Sequence, residues 1–291
     1  MTTLAHWIAG ARPRTLPAAL SPVVVGTGLA ISVGSFVPDR AVLALVVAVS
    51  LQVGVNYAND YSDGVRGTDA RRVGPVRLVG QGLASPSAVR AAALLSFLVA
   101  AAAGLALVLL TQEWWLLAVG AASIAAAWLY TGGPRPYGYL GLGEVFVLVF
   151  FGVVPVMGTA YVQTLTLTVP ALLAGICVGL FACAVLITNN LRDIPGDIVS
   201  GKRTLAVRLG DRGTRTLYVV VVVTGFALLV PLSVLTSPWS LLGFVALPWA
   251  IRPVRVVASG AGGAGLIPAL AATGSLVLVL GVALGVGLAL G

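Results

Sequence analysis

Long apolar stretches, interrupted by short polar segments, fill this chain of 291 residues. Each stretch has about 18–25 residues, which is the length that an α-helix needs to cross a lipid bilayer. Charged residues, glycines and prolines separate the stretches. The pattern predicts an all-α, polytopic membrane protein with nine transmembrane helices. The predicted spans are 17–35, 41–60, 90–111, 114–131, 143–161, 169–191, 216–236, 239–257 and 265–290.

Composition supports this fold class and excludes others. Hydrophobic residues make up 59% of the chain, charged residues make up only 9%, and the mean hydropathy is +1.05. A soluble globular domain carries about 25% charged residues, so the chain is neither a water-soluble enzyme nor a disordered protein. Because the apolar pattern continues throughout, residues 1–291 are predicted to form a single transmembrane domain.

The chain has a net charge of +8, and its basic residues lie almost entirely on one side of the predicted membrane. With nine spans, 16 of the 17 basic residues fall on the side of the N-terminus, and only Arg40 falls opposite. Positively charged loops remain in the cytoplasm, which predicts a cytoplasmic N-terminus and an external C-terminus. The two longest loops, 61–89 and 192–215, are also on the cytoplasmic side. Loops of this length are uncommon unless they are functional, so we expect the chemistry at this face.

Two acidic clusters, each beginning with asparagine, close the second and the sixth predicted spans. In the first cluster the polar residues follow a spacing of i, i+3, i+4 and i+7, which places them on one helical face. These residues are Asn56, Asn59, Asp60 and Asp63, and Asp69 follows them. In the second cluster Asn190, Asp193 and Asp197 follow i, i+3 and i+7. Pro195 is expected to disturb the helix there, which would leave Asp197 on a loop.

Carboxylates at these positions need a compensating charge. The C-terminal end of a helix already carries a partial negative charge, and two acids within one turn repel each other. A hard divalent cation resolves both problems, and oxygen ligands suit Mg²⁺, which often shares the phosphate oxygens of a substrate. The alternative is that the acids pair with local arginines and only solvate the loops. Two matching clusters on one face favour the metal site.

The clusters resemble the two aspartate motifs of the UbiA superfamily of intramembrane prenyltransferases. Asn59-Asp60-Tyr61-Ser62-Asp63 is similar to the first motif, and Asp193-Ile194-Pro195-Gly196-Asp197 is similar to the second. The resemblance covers the whole chain. It is strongest to the branch that prenylates 1,4-dihydroxy-2-naphthoate in menaquinone synthesis. The supporting segments are Arg12–Pro17, Asn59–Asp69, Tyr130–Tyr139 and Gly201–Ala206.

The resemblance implies a central cavity that opens towards lipid, with a cap of cytoplasmic loops, in a bacterial cell membrane. It implies transfer of a polyprenyl chain from polyprenyl diphosphate to an aromatic acid, with Mg²⁺ as cofactor and no nucleic-acid partner. One departure is Gly67, which stands where many members have a third aspartate; Asp69 is the nearby substitute. The implied catalytic residues are Asp60, Asp63, Asp193 and Asp197. The implied metal ligands are these four and Asn59, and the implied substrate-binding residues are Arg14, Asn56, Arg66, Tyr130, Arg135, Asn190, Lys202 and Arg203.

Other functions remain open at this point. The acceptor could be 4-hydroxybenzoate or homogentisate, or the reaction could be phosphoribosyl transfer to a polyprenyl phosphate. A cation transporter is a candidate of another class, because acids within the membrane often line an ion path. Against a transporter, both clusters lie at one face, and the neighbouring basic residues would repel a cation. A purely structural protein leaves the paired clusters unexplained.

The topology can be tested with fused reporter domains. Reporters after Arg77 and after Asp197 are expected to report a cytoplasmic location, and one after Gln163 an external location, because basic loops stay inside. Reporter activity in intact cells measures the side of each fusion. An external signal at either acidic cluster would contradict a shared site, since the clusters would then face opposite sides.

Overall fold

The computed structural model describes residues 2–67 and 76–291, and every regular element within these ranges is helical. Backbone groups find no water in lipid, so a spanning segment has to satisfy them internally, as a helix does. The all-α prediction is therefore confirmed. Asp69 and two arginines of the first charged loop, Arg71 and Arg72, lie outside the described residues. The helices are α1 (Leu4–Ala11), α2 (Pro17–Ser32), α3 (Pro38–Val65), α4 (Pro86–Thr111), α5 (Leu116–Leu129), α6 (Gly143–Thr164), α7 (Val169–Val199), α8 (Leu205–Leu235), α9 (Pro238–Ala258) and α10 (Gly263–Ala289).

Seven helices in the described part of the chain, α3, α4 and α6 to α10, are long and apolar enough to cross a membrane. The helix α2 has 16 residues and bends by 51° from the segment Leu4–Thr15, so this bent pair adds an eighth span if it is counted as one. The helix α5 has only 14 residues, fewer than the roughly 20 of an ordinary crossing. The protein is a multi-pass membrane protein, but the predicted count of nine spans is not confirmed.

Three helices extend well beyond their predicted spans, all towards the acidic motifs. Helix α3 continues to Val65, α7 continues to Val199, and α8 begins at Leu205, so parts of the predicted loops 61–89 and 192–215 are helical. Hydropathy marks where the apolar run ends, but helical hydrogen bonding continues into polar sequence. Pro195 lies inside α7 and does not end it. Asp193 and Asp197 are therefore one turn apart on one helical face, and Asp197 is not on a loop.

Arg40 marks the opposite end of the bundle from the acidic motifs. Its guanidinium donates to the carbonyl oxygens of Val162 at 2.9 Å and Leu110 at 3.1 Å. These carbonyls belong to the C-terminal turns of α6 and α4, where a cation is favourable. Because Arg40 lies in the first turn of α3, α3 runs opposite to α4 and α6. The one basic residue predicted to lie apart thus ties three helices together.

Small residues close the bundle between α2 and α10. A Cβ atom at Gly28 would lie 2.3 Å from the carbonyl oxygen of Gly285, and one at Gly281 would lie 2.4 Å from Cβ of Ser21. The hydroxyl of Ser21 donates to the carbonyl oxygen of Val277 at 2.8 Å. Close backbone approach through small residues is how helices pack in lipid, where apolar side chains gain little by leaving it. Helix α2 therefore packs closely against α10, the last helix.

A cavity of about 500 Å³ lies among α2, α3, α4, α5 and α6. Its wall is mainly apolar, and its polar members are Gln52, Asn56, Asn59, Ser123, Tyr130, Tyr137 and Thr159. Helix α5 packs on α3 and α4 but makes little contact with α6, although both helices line the cavity. The cavity therefore has a lateral seam between α5 and α6.

Candidate active site

The second half of α3 carries a row of polar residues that are buried in the protein. Helical spacing places them on one face, and each has 8% or less of its surface exposed. Buried polar groups need hydrogen-bond partners, and the partners of this row define the site. The row consists of Gln52, Asn56, Asn59, Asp60 and Asp63.

Asp63 is the point at which the two acidic motifs meet. Its Oδ1 lies 3.2 Å from Nζ of Lys202 and accepts a hydrogen bond from the hydroxyl of Tyr139. The Lys202 ammonium also lies 4.5 Å from the centre of the Tyr139 ring, a favourable cation–π position. Lys202 follows α7, and its backbone N–H donates to the carbonyl of Asp197 at 2.8 Å. The contact thus brings the second motif to the same end of the bundle as the first.

Arg66 and Asn59 connect the first motif to the segment after α5. The Arg66 guanidinium donates to the carbonyl oxygens of Thr131 and Gly133 and lies 5.6 Å from the centre of the Tyr139 ring. The hydroxyl of Thr131 donates to Oδ1 of Asn59 at 2.7 Å. These contacts hold the loop that carries Tyr139 over the end of α3.

Arg192 neutralises the second motif. Its Nε and Nη2 donate to the two carboxylate oxygens of Asp193 at 2.7 and 2.8 Å, and Nη2 also donates to Oδ1 of Asn189 at 2.8 Å. The pair is buried, with side chains 2% and 9% exposed. Such a two-pronged contact is among the strong hydrogen-bonded ion pairs. Asp197, one turn further along α7, is also buried.

The two asparagines predicted beside the metal contact the scaffold through their amide nitrogens. Asn190 donates to Oε1 of Glu144 at 3.1 Å, which links α7 to the first turn of α6. Asn56 donates to the carbonyl oxygen of Ala11 at 2.9 Å and to the hydroxyl oxygen of Thr15 at 3.0 Å. Their amide oxygens are the groups left for a ligand.

Asp60 contacts the backbone of the segment that leads to α4. Its Oδ2 accepts from the backbone N–H of Leu78 at 2.7 Å, and its Oδ1 accepts from that of Val79 at 3.0 Å. The side chain is fully buried. Helical spacing identifies the face of α3 on which Asp60 lies, but not that the segment leading to α4 packs on that face. Asp60 anchors this segment, so direct contact with a metal is not supported.

Four of the five predicted anion-binding residues are exposed, and of these only Arg66 has side-chain contacts within the described residues. Arg14, Arg135 and Arg203 are exposed, and their side chains form no hydrogen bond or ion pair within the described residues. Only the backbone N–H of Arg203 is engaged, by the carbonyl of Tyr139 at 2.9 Å. The structure therefore brings Lys202 and Arg66 into the site and leaves these three at its rim.

Aromatic rings run from the polar end of the cavity along α6. The ring centres of Tyr130 and Tyr137 are 5.5 Å apart, those of Tyr137 and Phe146 are 3.8 Å apart, and those of Phe146 and Phe150 are 5.9 Å apart. All four residues line the cavity. Phe150 lies in a π-helical turn, Val149–Val153, a feature often found at functional sites. Burial raises the pKa of Tyr137 above its usual value, and its hydroxyl donates to the carbonyl of Ala126 at 2.7 Å.

The donor set at this end of the bundle has the chemistry that Mg²⁺ prefers. It consists of the carboxylates of Asp63, Asp193 and Asp197 and the amide oxygen of Asn59, all of them hard oxygen ligands. Within residues 2–67 and 76–291, no three carboxylate, histidine or cysteine side chains are grouped closely enough to hold a metal ion. Instead, ammonium and guanidinium groups lie against Asp63 and Asp193. The residues fit Mg²⁺ by donor type, and cations of the protein lie against two of the three carboxylates.

Sequence reasoning missed four residues that shape the site. Tyr139 and Thr131 belong to the segment Tyr130–Tyr139, whose resemblance to the family was a signal for the segment but not for these side chains. Arg192 stands next to Asp193 in the chain, yet adjacency does not predict a two-pronged contact. An acid is favourable in the first turn of a helix, so the position of Glu144 already had a local explanation and its bond to Asn190 was not predicted.

The chain belongs to the UbiA prenyltransferase family, which matches residues 19–260. Named relatives cover nearly the whole chain. The 1,4-dihydroxy-2-naphthoate octaprenyltransferase of Mycobacterium tuberculosis is 53% identical over 291 residues, which are 100% of this chain and 99% of the relative. The Escherichia coli protein of the same name is 40% identical over 259 residues, which are 86% of this chain and 84% of the relative.

Solved structures share the fold at low sequence identity. A UbiA homologue from Archaeoglobus fulgidus, bound to GPP and Mg²⁺, matches with a TM-score of 0.73 and 14% identity, over 98% of this chain and 100% of that one. A homologue from Aeropyrum pernix matches with a TM-score of 0.71 and 16% identity, over 92% and 97% of the two chains. The expected family fold is confirmed.

The role of Asp60 as an anchor can be tested by Asp60→Asn. An amide side chain places an NH₂ group against one of the two backbone N–H donors, so the free energy of unfolding is expected to fall by about 1–3 kcal/mol. Thermal unfolding in detergent measures the loss. Asp211→Asn is the control, because the Asp211 carboxylate is exposed to solvent in its pair with Arg215, and such pairs are worth less than about 1 kcal/mol. Unchanged stability of Asp60→Asn would contradict the anchor.

Proposed function

We propose that the protein transfers a polyprenyl chain from polyprenyl diphosphate to 1,4-dihydroxy-2-naphthoate, releasing CO₂ and diphosphate and giving demethylmenaquinol. The observation that carries the proposal is the contact between Asp63 and Lys202, which joins two acidic motifs beside a cavity lined by aromatic rings. The relatives that share 53% and 40% of its residues bear the name of this activity. A solved family member binds a prenyl diphosphate together with Mg²⁺.

The diphosphate is proposed to bind at the polar end of the bundle. Lys202 and Arg66 would contact its oxygens, because ammonium and guanidinium groups bind phosphate strongly. Asn59, Asp63, Asp193 and Asp197 would hold Mg²⁺, with Asn190 contributing its amide oxygen nearby. When bound, the metal supplies positive charge that stabilises the departing diphosphate. The exposed Arg14, Arg135 and Arg203 are proposed to attract the two anionic substrates to the rim.

In this proposal Lys202 contacts first Asp63 and then the bound diphosphate. Without substrate it neutralises Asp63 inside the protein, at an N–O distance of 3.2 Å. A bound diphosphate offers it more negative charge, and the long, flexible lysine side chain can follow the phosphate oxygens. The site is therefore charge-balanced both with and without substrate.

The prenyl chain is proposed to lie along the aromatic row. Tyr130, Tyr137, Phe146 and Phe150 present ring faces to the cavity, and such faces stabilise a positive charge. The apolar wall excludes water, which would otherwise capture an allylic cation. The seam between α5 and α6 lets the remaining length of the tail lie in lipid.

The bond changes follow from this arrangement. The allylic C–O bond breaks and its electron pair leaves with the diphosphate. The electron-rich naphthalene ring then attacks the allylic carbon through C2, forming the new C–C bond. The bond from C2 to the carboxylate breaks, CO₂ leaves, and its electron pair restores the aromatic ring.

We also propose that the N-terminus faces the cytoplasm of a bacterial cell and that the C-terminus faces outward. The distribution of basic residues supports this orientation. The soluble aromatic acid then reaches the site from the side on which it is made.

The acceptor can be tested with naphthoate labelled in its carboxyl group. Purified protein, farnesyl diphosphate and Mg²⁺ are expected to release one labelled CO₂ for each prenylated quinol formed, because C2 exchanges its carboxylate for the prenyl chain. Gas trapping and chromatography measure the two products. Prenylation of 4-hydroxybenzoate with naphthoate untouched would contradict the acceptor, and phosphoribosyl transfer to polyprenyl phosphate would contradict the reaction.

The metal site can be tested by chelation and by two substitutions. EDTA should stop turnover and Mg²⁺ should restore it. Asp63→Asn and Asp193→Asn should each lower kcat/KM by about 100-fold or more, since each removes a charged ligand of the metal that stabilises the departing diphosphate. Asp60→Asn should leave the Mg²⁺ concentration for half-maximal activity unchanged, and Asp211→Asn should behave as wild type. Full activity of both first variants, together with indifference to EDTA, would refute the site.

A further inference from the structure

Two amide side chains stand in the cavity wall between the acidic motif and the apolar interior. Gln52 and Asn56 are one turn apart on α3, they line the cavity, and they are 5% and 3% exposed. Nothing in the binding of a diphosphate or a prenyl chain requires an amide on either turn. A buried polar pair in an apolar wall calls for a ligand with matching hydrogen-bonding groups.

A hydrogen-bond network fixes the orientation of both amides. The hydroxyl of Thr15 donates its only proton to the carbonyl oxygen of Arg12 at 2.9 Å. The Thr15 oxygen can then only accept, and it does so from Nε2 of Gln52 and Nδ2 of Asn56, each at 3.0 Å. Nδ2 of Asn56 also donates to the carbonyl of Ala11 at 2.9 Å. Because a carbonyl cannot donate, Nδ2 of Asn56 has to face Ala11. Nε2 of Gln52 faces the Thr15 oxygen, whose proton is engaged by the carbonyl of Arg12.

The two amide oxygens are consequently left as acceptors. Within the described residues, neither Oε1 of Gln52 nor Oδ1 of Asn56 receives a hydrogen bond, and neither is sealed off from the cavity. Side chains on successive turns of a helix have Cβ atoms about 5–6 Å apart. A ligand about the size of one aromatic ring can therefore contact both amides.

We propose that Gln52 and Asn56 bind the acceptor ring, each accepting a hydrogen bond from one of its two para hydroxyl groups, with Thr15 as the positioning residue. The proposal rests on the proposed function, which supplies a 1,4-dihydroxy aromatic acid. Seven residues separate Asn56 from Asp63, a rise of about 10 Å along α3. The bound diphosphate and the reacting allylic carbon fit into this interval.

Two acceptors in this arrangement select the oxidation state of the ring. A hydroquinone donates two protons to hydrogen bonds, whereas the oxygens of the corresponding quinone can only accept, and they would face the amide oxygens unfavourably. Neutral amides do not remove the hydroxyl protons. They draw them away from the ring oxygens, which increases the electron density at the ring carbon that attacks.

The experiment combines variants of the protein with variants of the ligand. Gln52→Leu and Asn56→Leu remove the acceptors with little change in size. Each is expected to raise KM for 1,4-dihydroxy-2-naphthoate by about 3- to 10-fold and to leave KM for farnesyl diphosphate unchanged. 1-Hydroxy-2-naphthoate lacks the hydroxyl at C4. It is expected to inhibit wild type more weakly than an inhibitor that carries both para hydroxyl groups. One of the two variants should abolish this preference, and the other should retain it.

Thr15 provides the positioning test. Thr15→Val removes the oxygen that holds both nitrogens, so it should raise KM for the acceptor, whereas Thr15→Ser keeps the hydroxyl and should restore it. The matched control is Ser123→Ala, which removes a cavity-lining hydroxyl that is bonded to its own helix at the carbonyl of Val119. This control should leave both KM values unchanged.

Direct binding separates this inference from the proposed function. Calorimetry without oxygen should show wild type binding 1,4-dihydroxynaphthalene at least about 10-fold more tightly than 1,4-naphthoquinone, with the difference reduced in both leucine variants. Normal turnover of naphthoate with unchanged KM and unchanged ligand preference in both variants would overturn the inference alone. Absence of turnover and of dihydroxynaphthalene binding in wild type would overturn both.

Discussion

The buried ion pair between Asp63 and Lys202 joins two parts of the chain that are 139 residues apart. A carboxylate and an ammonium removed from water each carry a large desolvation cost, which only a close partner offsets. The buried carboxylate therefore needs the ammonium beside it, and the buried ammonium needs the carboxylate. The pair holds the end of α3 against the segment after α7, and Tyr139 closes over both. The positions of the acidic motifs and of the loop that covers them all depend on this contact.

The same principle of local charge balance extends across the polar end of the bundle. Arg192 neutralises Asp193 through two hydrogen bonds, so each motif enters the folded state with a cation against one of its carboxylates. This explains how carboxylates can crowd the ends of two helices. The arrangement also gives an anionic substrate and a metal ion a ready exchange of partners. A metal ion would replace a protein cation beside a carboxylate, and an anionic substrate would replace a carboxylate beside a protein cation. Each charge would then keep an opposite charge next to it in a medium of low polarity.

Individual residues show how far the sequence predicts this structure. Within the described residues, each of the seven helices long enough to cross a membrane overlaps one predicted apolar run, because lipid leaves the backbone no alternative to helical hydrogen bonding. The apolar runs do not predict that α3 reaches Val65 or that α7 passes through Pro195, since hydropathy stops at the membrane surface and the helix does not. Helical spacing places Asp60 and Asp63 on one face, but it does not distinguish an acid that meets Lys202 from an acid that meets the amides of Leu78 and Val79. The contacts of Tyr139 and Thr131 arise when loops and helix ends fold together, and nothing local encodes them, whereas Arg192 contacts Asn189 and Asp193 within its own helix.

The glycine contact between α2 and α10 also affects how the protein is made. The hydroxyl of Ser21 on α2 donates to the carbonyl of Val277, which lies 256 residues later in the chain. Gly28 packs against Gly285. Synthesis proceeds from the N-terminus, so α2 enters the membrane long before its main neighbour exists. Throughout that time its small-residue face lies against lipid. Since α2 also forms one wall of the cavity, that wall reaches its final position only after the last helix has been inserted, and the nascent chain holds no finished substrate pocket until its synthesis is nearly complete.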